Sequence, residues 1–258
     1  MNARLTTKLS VITMILVAIG CGSGRHDATA APPAGETAAP AAAAQGAGGS
    51  ARVTGSVTFN GTAPAAAKIK MDADPVCQLQ HPQGRESEEV VASNGKLANV
   101  FVYVKSGLEG KTFPAPTTPV TLDQHGCWYQ PHVLGIQVNQ PLEIVNSDQT
   151  LHNINVKPAT NQPFNIAQPM QGMKSTKKFA KPEVMIKTKC NVHPWMSAYI
   201  GVVAHPFFAV TGEDGSFSLA GLPAGTYTLE AWHEQFGVKT QSVTVADGET
   251  QSVSFAFP

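Results

Sequence analysis

The chain has 258 residues, in which 18 Lys and Arg balance 18 Asp and Glu and charged residues make up only 14%. It carries no basic stripe and no basic helix, which argues against nucleic-acid binding. No Cys-x-x-Cys-His occurs, which removes the attachment motif of a covalently bound haem.

At the N-terminus, Arg4 and Lys8 flank the start of an apolar run, LSVITMILVAIG. Twelve residues are too few to span a bilayer as a helix, which takes about 20, and charge followed by a short apolar run reads as an export signal. The run ends in VAIGC, which resembles a bacterial lipobox with Ala18 where leucine is commoner. The resemblance implies a signal peptide over 1–21, lipidation of Cys21 and a protein anchored to a bacterial membrane, in the periplasm or at the cell surface. Gly22 after that cysteine permits outer-membrane sorting by the same analogy. An ordinary secretory signal cleaved nearby is the alternative. Residues 22–52 are Ala, Gly and Pro with almost nothing to pack, and read as a disordered tether whose ends lie roughly 30 Å apart.

Roughly 200 residues remain to fold. They show no convincing helical stripe, only short strand-like runs punctuated by Gly, Pro, Asn and Asp. VTGSVTFNG alternates, and NVFVYVKSG is a nearly continuous apolar run, as expected of a strand buried on both faces. GIQVNQPLEIVNSDQTLHNINV offers two or three strands, and EVMIKTKC another. The tail adds GSFSLAGLPAGTYTLEAWHE and TQSVTVADGETQSVSFAF, with turns at Asp214–Gly215, Pro223–Gly225 and Asp247–Gly248. This spacing predicts an all-β protein of Greek-key β-sandwich architecture.

An exported chain meets an oxidising compartment, so its cysteines are read as disulfides first. Pairing Cys77 with Cys127 leaves Cys190 unpaired, and an unpaired thiol there needs a reason such as metal ligation. A pairing of Cys190 with either of the others remains open. Cys77, His81, His125, Cys127 and His132 also form a local cluster, but their spacings match no standard zinc pattern.

Alternation places Val184, Ile186, Thr188 and Cys190 on one strand face, with Met185, Lys187 and Lys189 on the other. The lysine face is wet, so Cys190 points inward. His152, Ile154 and Val156 likewise share a face. In KCNVHPWM, Cys190, His193 and Met196 are spaced three apart in a loop bounded by Pro194. With His152 they supply two imidazoles, one thiolate and one thioether. Hard ions want oxygen and zinc does not favour thioether, whereas two His, one Cys and a long axial Met is the donor set of a blue-copper site. Asn153 is placed to brace the Cys190 loop from outside the ligand set. Met170 and Met173 read as loop packing, and His205 and His233 as structural histidines.

Residues 132–204 resemble a cupredoxin of the plastocyanin/amicyanin type, on the turn before His152, the His152–Asn153 pair and the short Cys-x2-His-Pro-x-Met loop. The resemblance implies one copper ion cycling between Cu(I) and Cu(II), held by His152, Cys190, His193 and axial Met196. It also implies that His193 reaches the surface through an apolar patch, including Pro194 and Trp195, where redox partner proteins dock. The tail from Asp214 is similar to a carboxypeptidase regulatory-like (transthyretin-like) module, a scaffold without catalysis. GSVTFNGTAP resembles the first strand of such a module, so the two ends of the chain would clasp the cupredoxin segment between them. The expected division is a cupredoxin-like domain with N-terminal extension over 53–204 and the regulatory-like module over 205–258.

The leading expectation is a membrane-tethered, monomeric single-electron carrier rather than an enzyme. A copper-binding or delivery protein, and an adhesion or scaffold lipoprotein, are the alternatives.

Overall fold

The alternation read in the last strand is a burial pattern: in Thr250–Phe257, Val253, Phe255 and Phe257 are buried and the residues between them face outward. The same logic builds most of the chain. The computed structural model describes residues 48–258; Cys21, the expected signal peptide and most of the expected tether lie outside them.

In chain order, β1 (Ala51–Phe59) and β2 (Lys68–Ile69) are followed by one short helix, α1 (Pro75–Gln80). Then come β3 (Arg85–Glu86), β4 (Ala92–Ser93), β5 (Lys96–Leu97) and β6 (Phe101–Ser106). Next are β7 (Val120–Gln124), β8 (Tyr129–Gln130), β9 (Val133–Gln137), β10 (Leu142–Asn146) and β11 (His152–Val156). They lead to β12 (Phe164–Gln168), β13 (Lys174–Lys177), β14 (Glu183–Lys189) and β15 (Ser197–Val203). The last five are β16 (Phe208–Val210), β17 (Ser216–Leu222), β18 (Gly225–His233), β19 (Gly237–Val245) and β20 (Thr250–Phe257). Among the described residues no helix is long and apolar enough to cross a membrane.

Four sheets carry the fold. Two of them, β12-β11-β14-β15-β9 and β13-β10-β7-β8, enclose a core that includes Leu122, Ile136, Ile144, Ile154 and Ile200. The other two are β16-β6-β18-β19 and β17-β1-β5-β4, with β20 added to β1. Their shared core includes Val53, Val102, Leu219, Tyr227 and Phe255. Each large apolar side chain fully buried this way contributes roughly 1.5–3 kcal/mol.

The expected boundary at 204/205 does not divide the strands. β1 pairs antiparallel with β17 and runs parallel to β20 along its whole length, from Arg52↔Thr250 to Phe59↔Phe257. β6 lies between β16 and β18. The second sandwich is therefore built from both ends of the chain, and the segment bearing Cys190 is inserted between them. The reason is edge satisfaction: the strands after 205 leave β17 and β20 with no bridge between them, and β1 supplies it. Strand also begins at Ala51, inside the stretch expected to be tether.

The apolar run of β6 serves both sandwiches. Val102 and Val104 face one core, while Phe101 and Tyr103 pack with Val133, Tyr199 and Val203 of the neighbouring sheet. Close approach there needs glycine. A Cβ on Gly201 would stand 2.6 Å from the Phe101 ring, and one on Gly135 would stand 2.3 Å from Phe208.

Candidate metal centre

The register of β11 and β14 assembles the site. Asn155 pairs with Lys189 and Val156 with Thr188. Continued three residues past the end of β14, that register sets His152 opposite Val192, beside the loop that carries Cys190 and His193. The loop is closed by its own backbone: Met196 N–H donates to His193 O at 2.9 Å, and Cys190 N–H donates to Met196 O at 3.1 Å. His152 and Met196 are fully buried, and Cys190 and His193 are each 1% exposed.

His152 Nδ1 and His193 Nδ1 lie 2.9 Å apart, and His193 Nδ1 lies 3.9 Å from Cys190 Sγ. One donor atom from each of His152, Cys190 and His193 falls within a 4.8 Å cluster. Met196 is buried in the same core group as Cys190. The outer nitrogens are both held by carboxylates: His152 Nε2 meets Asp148 Oδ2 at 2.9 Å, and His193 Nε2 meets Asp74 Oδ2 at 3.1 Å. A carboxylate only accepts, so each Nε2 bears the hydrogen and each Nδ1 turns a lone pair inward. Two facing lone pairs at that separation need a cation between them, either a shared proton or a metal ion. One metal ion bonded at about 2.0–2.3 Å to each donor spans these distances. The residues present therefore fit a metal.

The electrostatics agree. Burial works to raise the Cys190 thiol, but the His152 and His193 side chains beside it and the backbone groups around it outweigh burial and hold it down at about 5. His193 N–H reaches the sulfur at 3.3 Å. Burial opposes a charged His152, yet the bonds to Asp148 and Cys190 and their charges raise its affinity for a proton. Burial alone would raise Asp148, but His152 and the amides of Cys127 and Gly126 hold it near 2. Asn153 Oδ1 accepts the Asn191 N–H at 2.7 Å.

Cys77 and Cys127 form a disulfide, with S–S 2.01 Å, and Cys190 is the free thiol. That disulfide pins α1 over the site, a helix the sequence reading did not place. The expectation that His193 reaches the surface is corrected here. Asp74 and Cys77 cover its outer edge, with Cys77 Sγ 3.7 Å from His193 Nε2. Trp195 is half-buried: its Nε1–H donates to Cys127 O at 3.1 Å, and its ring lies 5.1 Å from that of His193. Pro194 stays exposed.

The other candidates are dispersed. His81 Nε2 pairs with Gly126 O at 2.8 Å, His125 is exposed, and His132 pairs with Glu234 and with Ser197 O. With both cysteines bridged, these histidines share no metal-sized cluster among the described residues. Met170 is 65% exposed, and Met173 closes a turn with it. His205 stacks on Phe207 and His233 on Phe236, and burial lowers both to about 4, leaving them neutral. Sequence reasoning missed Asp74 and Asp148. Asp148 was readable as an acid four residues before His152, and Asp74-Pro75 as a helix start.

Residues 197–258 match the family model of the carboxypeptidase regulatory-like domain. A comparison with curated proteins found no match. Similar solved structures include a copper-containing nitrite reductase from Thermus scotoductus SA-01, at 28% identity and TM-score 0.29 over 36% of this chain and 24% of that one. The match thus spans about a quarter of the reductase's length. A purple cupredoxin from Nitrosopumilus maritimus matches at 22% identity and TM-score 0.28, over 33% of this chain and 97% of that one. The M98A mutant of amicyanin in its Cu(I) form matches at 15% identity and TM-score 0.29, over 40% and 98%.

Proposed function

We propose that this protein is a type 1 copper protein, a single-electron carrier tethered to the cell envelope. His152, Cys190 and His193 would hold one copper ion, with Met196 supplying a thioether. The observation that carries the reading is the inward convergence of two imidazole Nδ1 atoms, 2.9 Å apart, on a thiol held down at about 5. Two nitrogens with a thiolate and a weak thioether select copper over zinc or hard cations. Bound copper supplies a one-electron couple. The chain's own part is to keep the donors still: both imidazoles are clamped at Nε2, and the Cys190 loop is tied to Asn153. Small rearrangement on electron transfer follows from that rigidity.

Near-complete burial of the donors favours a carrier over a delivery protein, which must release its metal to a recipient. In this reading the donor and acceptor are redox proteins of the periplasm or cell surface, the chain is a monomer, and lipid on Cys21 holds it to the membrane. The test is the visible spectrum of the copper-loaded protein beside Cys190→Ser. An intense thiolate-to-copper band that bleaches reversibly with ascorbate, and that vanishes in the variant, is expected. A protein that retains no copper, or retains it without colour, overturns the proposal.

A further inference from the structure

We propose that Asp74 is a positioning residue for His193, fixing the ring so that Nδ1 faces the metal and strengthening it as a donor. The inference rests on the copper reading and goes beyond it, because Asp74 comes from outside the ligand-bearing strands, 119 positions away in the chain.

The geometry of Asp74 is determined on every side. Its Oδ1 caps α1, accepting Val76 N–H at 2.7 Å and Cys77 N–H at 3.3 Å. Its Oδ2 accepts Thr150 Oγ1–H at 2.8 Å and faces His193 Nε2 at 3.1 Å. The helix it caps is bonded covalently to the β7–β8 turn through Cys77–Cys127. His81 Nε2 to Gly126 O and Gln80 Nε2 to Asp148 Oδ1 fasten its far end. The carboxylate cannot swing away without undoing the cap.

Two consequences follow. The tautomer of His193 is set with hydrogen on Nε2, so the inward nitrogen is always the free donor. A fixed anion behind a ligand also favours the more highly charged metal ion, so Asp74 lowers the reduction potential of the site.

Asp74→Asn is the informative variant, because asparagine caps a helix as well as aspartate does while removing the charge. Asp72→Asn, at an exposed carboxylate two residues earlier, controls for long-range charge. Voltammetry of the copper-loaded full chain should show a higher potential for Asp74→Asn and an unchanged one for Asp72→Asn. Proton–nitrogen NMR of the metal-free wild type should show His193 carrying its hydrogen on Nε2, as a downfield, slowly exchanging resonance. Equal potentials for Asp74→Asn and wild type, or a metal-free His193 protonated on Nδ1, overturn the proposal. The NMR measurement needs neither copper nor a variant, so it tests the Asp74–His193 bond even where the wild type takes up no coloured copper.

Discussion

Asn153 Oδ1 accepts the Asn191 N–H at 2.7 Å, joining β11, which carries His152, to the loop that carries Cys190 and His193. The partner amide group of Asn153 donates to Asn165 Oδ1 at 2.6 Å, which fixes its orientation. Asn153→Ala leaves the part-buried Asn191 N–H without its partner, at a cost of about 0.5–1.5 kcal/mol. The expected outcome is a lower urea midpoint for the metal-free variant, together with a shifted copper–thiolate band. An unchanged midpoint and band contradict the bracing role.

The Cys77–Cys127 bond joins positions 50 apart. Closing a loop of that length removes entropy from the unfolded chain worth about 4 kcal/mol in the chain-entropy model. The double variant Cys77→Ser, Cys127→Ser should lose stability of that order in denaturant unfolding. It should also lose copper to a chelator severalfold faster, because α1 is the cover over His193. Release at the wild-type rate would mean that the hydrogen bonds of Asp74 and His81 hold α1 in place unaided.

Much of this arrangement was legible in the sequence. Cys190, His193 and Met196 are local, so their spacing alone limits the loop they form. Strand alternation placed Cys190 inward, and the turns read at Asp214–Gly215, Pro223–Gly225 and Asp247–Gly248 fall where β16 gives way to β17, β17 to β18 and β19 to β20. The cover over the site was not legible. Six residues of helix are too short to show a 3.6-residue period, so beyond its Asp74-Pro75 start the stretch Pro75–Gln80 carries no helical pattern. Its function depends on a contact with His193, 119 positions distant, which no local pattern encodes. Expecting an exposed His193 failed for the same reason: the loop permits exposure, and a remote segment removes it.

The regulatory-like match begins at Ser197, yet the sheet it contributes to is completed by β1. Val53 and Val57 of β1 lie in the core with Leu219 and Phe255. A fragment covering 205–258 alone lacks this strand and exposes the facing edges of β17 and β20. Unpaired apolar edges associate. The fragment should be unfolded or aggregated by circular dichroism and light scattering, and addition of a 48–62 peptide should restore soluble β structure. A fragment that folds as a monomer without the peptide would show that β1 is dispensable.

Glu183 gives the fold a pH dependence separate from the metal centre. It begins β14, and its carboxylate gathers the turn that precedes it by some twenty residues: Thr160 Oγ1–H at 2.7 Å, Asn161 Nδ2–H at 3.0 Å and Thr160 N–H at 3.1 Å. Asn161 in turn bonds the backbone of Lys181 through both ends of its amide. Burial alone would raise the acid, but these bonds outweigh it and lower it from 4.5 to about 2. A depressed carboxylate stabilises the fold above its unfolded value and loses that contribution as the pH falls through its folded one. Wild type should therefore exceed Glu183→Gln by about 1 kcal/mol at pH 7, a figure kept low because the group is only partly buried. The margin should narrow below pH 4.5 and close near pH 2. Urea midpoints of the two metal-free proteins across that range measure it. A margin that stays constant with pH would mean that glutamine keeps the same bonds and the charge contributes nothing.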